Sequence, residues 1–191
     1  DIRGLRELGV SMVHEDRMLY GVSSPQSIAE NTISDRYYKR EYSSHGRLKL
    51  GEIRARTDAL IEEFTIKCDG EFAPVSTLSG GNIQKVVTAR EFSSSPKLLM
   101  VSHPTRGIDI GATELIRKKI VALRDKNHSA VLLFSADLTE LLTVSDSIIV
   151  MYNGAIAAYF PKLDGVDEQV LGEYMLGIKT QSAAEIGGVI F

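Results

Sequence analysis

The sequence contains no tryptophan and a single cysteine, Cys68. One thiol excludes a disulfide framework, and a reducing compartment fits such a chain. No apolar run approaches the roughly 20 residues that a helix needs to span a bilayer. The longest runs are Ala130-Val131-Leu132-Leu133-Phe134 and Ile148-Ile149-Val150-Met151-Tyr152. No secretory pattern opens the chain. It begins at Asp1, in a segment that already reads as folded protein, so a piece of a longer polypeptide is expected. Neither sign of charge dominates, because 22 basic and 25 acidic side chains leave a formal net charge of -3. Nothing in that balance suggests a nucleic-acid surface. The absence with most consequence is a Gly-x-x-x-x-Gly-Lys-Ser/Thr loop, the backbone cradle for nucleotide phosphates, which occurs nowhere in the 191 residues.

What is present looks like the other half of a nucleotide site. Leu78-Ser79-Gly80-Gly81-Asn82-Ile83-Gln84-Lys85 sets a Ser-Gly-Gly turn directly ahead of a helical pattern. Glycines let backbone N–H groups come close to a ligand, and a helix N-terminus attracts phosphate. The tetrapeptide alone reads equally well as a helix cap, with Ser79 capping and the glycines forming a loop. Its surroundings bear on the choice.

Gly9 to Val13 is a candidate strand, followed by the polar His14-Glu15-Asp16-Arg17. From Gln26 to Phe64 the pattern is helical. Ile28, Ile33 and Tyr37-Tyr38 fit one helix loosely, and Ala55, Leu60, Ile61 and Phe64 suit another. Ser43-Ser44-His45-Gly46 and Gly51 punctuate between them. A helix from about Gly81 to Phe92 is expected to bury Ile83, Val86, Val87 and Ala89. Leu98 to Val101 and Ala130 to Phe134 read as strands buried on both faces. Helices follow over about Ala112 to Asp125 and Leu138 to Val144. Ile148 to Tyr152, Asn153-Gly154 and Ala155 to Phe160 form a hairpin signal. A last helix covers Asp167 to Met175, and the tail after Thr180 is expected to be poorly ordered. Strands alternating with helices imply an α/β domain with a mostly parallel sheet. The expected organisation is one domain over 1–191: a helical sub-domain at about 20–75, the Ser-Gly-Gly turn and core sheet at 76–160, and a C-terminal helix and tail at 161–191.

This order of motifs resembles the ATP-binding cassettes of ABC transporters, from Gly9 to about Lys179. The most specific stretches are Leu78 to Arg90, Pro104 to Gly111 and Leu141 to Gly154. Leu-Ser-Gly-Gly-Asn-x-Gln-Lys, followed by Pro-Thr-Arg-Gly-Ile-Asp-Ile-Gly, is similar to the second, C-terminal cassette of the two-cassette subunits of simple-sugar and nucleoside importers. His14-Glu15-Asp16-Arg17 is similar to the Pro-Glu-Asp-Arg segment of that group. The resemblance implies a P-loop NTPase-like cassette, N-terminally truncated and lacking its phosphate-loop strand, loop and helix. It implies ATP and Mg²⁺ as cofactors of the intact transporter, with neither expected on this piece. The implied partners are a first cassette of the same or a partner chain, transmembrane permease subunits and, indirectly, a solute-binding protein, but no nucleic acid. The implied location is cytoplasmic, peripheral at the inner face of the cell membrane. Ser79, Gly80, Gly81 and Gln84 would face nucleotide held by the other cassette, and Glu15 would take the place of the usual Q-loop glutamine. Asp109 would lie in a loop that crosses the seam, and it reads equally as the cap of the helix beginning near Ala112. The helical interval would receive a coupling helix of the membrane subunit. Core packing is the expectation for any single tyrosine among Tyr37, Tyr38 and Tyr42.

Three positions depart from the pattern of active cassettes. Ser102-His103-Pro104 stands where Asp-Glu-Pro is usual. Ser102 brings no negative charge to a magnesium shell. His103 takes the position of the water-polarising glutamate, where a neutral imidazole beside a cation is a poor replacement. Its plainer reading is a histidine at the seam or core edge. Ala136 replaces a histidine common in cassettes, and no residue is expected to ligate a metal. The competing readings are a hydrolytic half of an importer, a cassette that completes its partner's site, and a DNA-repair or chromosome-organising ATPase with the same signature. No sustained heptads lie between Asp16 and Leu78, which counts against the third. An intact Ser-Gly-Gly side beside a depleted strand end favours the second. No ATPase activity is expected of these residues alone. A sheet without its phosphate-loop strand is expected to expose an edge and to favour self-association.

Overall fold

In the computed structural model residues 1–187 are described. Residues 1–134 form one compact unit, and the described residues from 135 onward form a second.

The first unit holds α1 (Ile2–Glu7), β1 (Val10–Val13), α2 (Ile28–Ile33), β2 (Ser43–Ser44), β3 (Arg47–Leu48), α3 (Leu50–Glu63), α4 (Gly80–Phe92), β4 (Leu98–Ser102), α5 (Ile110–Asn127) and β5 (Ala130–Phe134). The strands β1, β4 and β5 pair in that order and are all parallel, with Val13 opposite Val101 and Ser102 opposite Phe134. Parallel neighbours need long crossovers, and the helices between these strands supply them. Central β4 buries Leu99 and Val101 completely. The strand β5 differs from expectation: Ala130, Leu132 and Phe134 are exposed, and Val131 and Leu133 are half-buried. The exposed residues alternate, so one face of the strand is left uncovered, the face on which Met12 and Met100 are also only half-buried; β5 pairs only with β4 among the described residues.

Helix α4 is the axis of this unit. Every residue from Ile83 to Phe92 is buried. Its apolar side chains join Val13, Leu99 and Val101 of the sheet, Leu60 and Phe64 at the end of α3, and Ile116, Ile120 and Leu123 of α5. The expected inward residues Ile83, Val86, Val87 and Ala89 are all there. Several polar residues are buried with them, and each has a partner, as burial of charge requires. Lys85 Nζ donates to the Thr65 carbonyl at 2.9 Å. Glu91, with no exposed surface, receives both terminal nitrogens of Arg6, one of them at 3.0 Å. It also accepts from Arg90 Nε at 2.9 Å and from the Met12 N–H at 3.3 Å. Arg6 Nη1 lies 3.6 Å from Asp35, which is held in turn by Arg36 Nε at 2.8 Å.

The helical region differs from expectation in two details. Helix α2 stops at Ile33, so Tyr37 and Tyr38 lie beyond it. The chain turns there and sends Arg36 back to the Arg90 carbonyl and Ser93 Oγ of the central helix's end. Ser43–Ser44 and Arg47–Leu48 pair as a small antiparallel hairpin around His45-Gly46. Tyr42 packs in a cluster with Ala29, Ile33 and Ile53, as core packing predicts, whereas Tyr37 is exposed.

The second unit holds α6 (Leu138–Val144), β6 (Ile148–Tyr152), β7 (Ala155–Phe160) and α7 (Glu168–Met175). The hairpin turns on Asn153 and Gly154, both at positive φ, the pairing that a two-residue turn demands. Ile148, Val150, Ala158 and Leu171 form its core. The tail is tied down further than expected: the Gln181 N–H donates to the Ala157 carbonyl, and its side-chain oxygen accepts from the Tyr159 N–H. The last four residues of that tail lie outside the described residues. Among the described residues no helix is long and apolar enough to cross a membrane.

Candidate functional site

Ser79 is the N-cap of α4, in an extended conformation at φ -65 and ψ 155. Its Oγ accepts from the Asn82 N–H at 3.4 Å and from Asn82 Nδ2 at 2.9 Å. Asn82 is itself anchored, since its Oδ1 accepts from the Lys67 N–H at 2.9 Å. An oxygen that accepts twice leaves its hydroxyl proton to donate elsewhere, and Ser79 is exposed. The serine caps the helix, as the plainer sequence reading has it, and its hydroxyl proton is left beside the helix's positive end.

The ends of β1 and β4 open beside this turn. Glu15, Asp16, Arg17, Ser102, Arg106 and Gly107 are among the residues lining an open groove of about 740 Å³. Glu15 and Arg106 form an ion pair between exposed side chains. Asp16 caps the π-helical turn Arg17–Gly21 by accepting from the Met18 and Leu19 N–H groups, each at 3.0 Å. Arg17 Nη1 donates to the Arg106 carbonyl at 3.1 Å. The carboxylates of this groove are thus engaged with protein groups, Glu15 in the ion pair and Asp16 in the cap.

Ser102 lines the groove, but His103 does not. His103 ends β4 in the left-handed region, φ 46, and its N–H donates to the Phe134 carbonyl at 2.8 Å. A non-glycine residue there is uncommon. Gln84 is 1% exposed and spends its amide on the Pro104 carbonyl at 3.0 Å. It braces the turn after β4 rather than sharing the surface of Ser79. Gly81 packs beside Ile108 in the same turn. Asp109 caps α5 by accepting from the Ala112 N–H at 2.8 Å, and that bond holds its carboxyl below the usual carboxylate range. Ala136 lies in the second unit, just before Asp137, the cap of α6. Sequence reasoning passed over Arg17 and Asn82. Asn82 was visible as the third helical residue after a capping serine, but Arg17 meets its partner 89 residues away.

The surface offers hydroxyl, backbone N–H and guanidinium donors, which suit phosphate oxygens. Among the described residues no group of three or more His, Cys, Asp or Glu side chains could hold a metal ion.

The fold is that of an ATP-binding cassette, P-loop NTPase-like, with a parallel sheet and mixed α/β content. A dimeric ATP-binding cassette in a post-hydrolysis state, bound to ADP and Pi, matches with a TM-score of 0.68 at 18% identity, over 80% of this chain and 63% of that one. An ATP-binding subunit of an ABC transporter matches with a TM-score of 0.63 at 19% identity, over 94% and 67%. In sequence the chain is 41% identical over 175 residues to the nucleoside import ATP-binding protein NupA of Lactococcus lactis, covering 92% of this chain and 34% of that protein. It is 37% identical over 186 residues to the guanosine import ATP-binding protein NupO of Bacillus subtilis, covering 97% and 36%. A ribose import ATP-binding protein of Rubrobacter xylanophilus is 36% identical over 95% of this chain and 34% of its own length. The chain spans about a third of the length of these curated relatives. No family model matches it.

Proposed function

We propose that the chain is the second, C-terminal cassette of the ATP-binding subunit of a simple-sugar or nucleoside importer. In this reading it donates Ser79, Gly80 and Gly81 to ATP held by another cassette, and its own strand end is degenerate. The observation that carries the reading is the contrast between two sides of one unit. Ser79 is exposed at the start of α4 with its hydroxyl proton free to donate. On the other side, Ser102 carries no charge and His103 stands outside the groove. The Ser79 hydroxyl and the N–H groups at the start of α4 receive phosphate oxygens, and donors so placed stabilise the charge that spreads in phosphoryl transfer. Mg²⁺ and the phosphate cradle belong to the partner cassette. The partners are that cassette and transmembrane permease subunits, which places the chain at the inner face of the cell membrane. Names of the relatives, among them nucleoside, guanosine and ribose importers, support the solute class.

The test uses the full-length subunit assembled with its permease. Ser79→Arg is expected to lower ATP hydrolysis by roughly 100-fold or more, the scale of losing a transition-state donor. His103→Ala is expected to change it less than about twofold. Equal losses from the two changes would sink the reading.

A further inference from the structure

The segment that anchors Asn82 is unusual in its own backbone. Helix α3 ends in a Schellman turn, in which the Ile66 N–H donates to the Ile61 carbonyl at 2.9 Å and the Thr65 N–H to the Glu62 carbonyl at 3.1 Å. Such a turn needs one left-handed residue, usually glycine, and here Thr65 takes that place at φ 52. A β-branched residue in that region is an outlier, and such a conformation persists where its surroundings hold it. On one side Ile66 is buried in the main core. On the other, Lys85 is buried in α4 and its Nζ donates to the Thr65 carbonyl at 2.9 Å. Two residues on, the Lys67 N–H donates to Asn82 Oδ1 at 2.9 Å. That bond decides which way round the Asn82 amide lies, so its nitrogen faces Ser79 Oγ, 2.9 Å away. Asn82 and Lys85 are three residues apart on one face of α4, and that face grips the turn at both Thr65 and Lys67.

Resting on the proposed donation of Ser79, we propose that Lys85 is a positioning residue for that hydroxyl, acting through the Thr65–Lys67 turn and Asn82. Lys85 holds the Thr65 carbonyl and keeps the turn in its left-handed form. The turn presents the Lys67 N–H to Asn82. The Asn82 amide then donates to Ser79 Oγ and leaves the serine proton for a phosphate oxygen. Each link is a hydrogen bond of 2.9 Å, and Lys85 itself does not touch the nucleotide.

Two measurements test this. In the 191-residue protein, Lys85→Met is expected to move the Lys67 amide resonance and the side-chain amide resonances of Asn82. Adding Thr65→Gly, which takes the left-handed form freely at an exposed position, is expected to bring both back toward their original places. Unmoved Lys67 and Asn82 resonances would overturn the proposal. Lys85→Gln, a shorter and uncharged donor, gives the same readout if the methionine variant does not fold. In the full-length importer, Lys85→Met is expected to lower kcat by about tenfold with little change in KM for ATP, the loss of one hydrogen bond from a charged donor. Thr65→Gly is expected to recover most of that loss. When Asn82 is already alanine, Lys85→Met is expected to cost almost nothing further. The same cost in both backgrounds, or no recovery by Thr65→Gly, would also overturn the proposal. If the resonances respond but Ser79→Arg leaves hydrolysis intact, the chain from Lys85 to Asn82 stands as structure and the donation reading fails instead.

Discussion

Replacing Glu91 by glutamine removes one negative charge from the centre of the first unit. The carboxylate is completely buried and receives Arg6 through both oxygens, Arg90 Nε at 2.9 Å and the Met12 N–H at 3.3 Å. The amide of Glu91→Gln keeps one accepting oxygen, but its NH₂ faces nitrogen donors. Two guanidiniums are left short of a counter-charge, at side-chain exposures of 19% for Arg6 and 9% for Arg90. Breaking a buried pair by removing one partner costs about 3–5 kcal/mol. Arg6 retains Asp35 at 3.6 Å, which places the expectation at the lower end. A loss of about 3 kcal/mol lowers Tm by roughly 6–12 °C for a chain of this size. Far-UV circular dichroism of the 191-residue protein, followed during heating and in urea, measures it without needing a tryptophan. The network also crosses three segments, since Arg6, Asp35 and Glu91 come from α1, the turn after α2 and α4. Its loss should therefore lower the midpoint of the whole first unit rather than fray one helix. A cost below about 1 kcal/mol, the value of a surface ion pair, would refute the claim that this network holds α1 and the helical lobe to the central helix.

Asp35 supplies a pH test of the same network. Burial raises its carboxyl, but the hydrogen bond from Arg36 and the charges of Arg36, Arg6 and Arg90 outweigh burial, and the net pKa lies below the ordinary 3.8. A carboxyl lowered on folding contributes stability that is complete above its unfolded pKa and is lost as the pH falls through its folded pKa. Asp35→Asn is therefore expected to cost about 1.5–3 kcal/mol at pH 7 and to make the acid limb of the stability curve shallower; an unchanged limb in urea titrations would count against it. Asn82→Asp tests the Ser79 hydroxyl. The new carboxylate still accepts from the Lys67 N–H but no longer donates to Ser79 Oγ, so the serine proton turns inward to it. ATP hydrolysis by the full-length importer is expected to fall by roughly 10–100-fold, and by much less when Ser79 is already alanine. Equal losses in both backgrounds would show that charge, not hydroxyl orientation, is responsible.

The features legible in the sequence are those that neighbours along the chain decide. Ser79 ahead of a helix, the Asn153-Gly154 turn and the Asp109 cap each act within three or four residues, and all of them form. The apolar face of α4 was legible too, because Val86, Val87 and Ala89 keep helical spacing. Its buried polar face was not, because Gln84, Lys85, Arg90 and Glu91 look like a solvated surface until Pro104, Thr65 and Arg6 are brought to them. The same limit applies to β5. Its unbroken apolar run predicts burial on both faces, yet Leu132 and Phe134 are exposed on a face that no layer covers, and which face of a sheet is covered depends on how the elements pack rather than on composition. For the site the distinction has a consequence. Ser79 was assigned from a local motif, but what fixes it comes from elsewhere. Asn82 turns its hydroxyl while its own side chain is tied to the Lys67 N–H, 15 residues earlier in the chain. A chain that kept Leu-Ser-Gly-Gly and lost Asn82 would keep the motif and lose the orientation of the Ser79 hydroxyl.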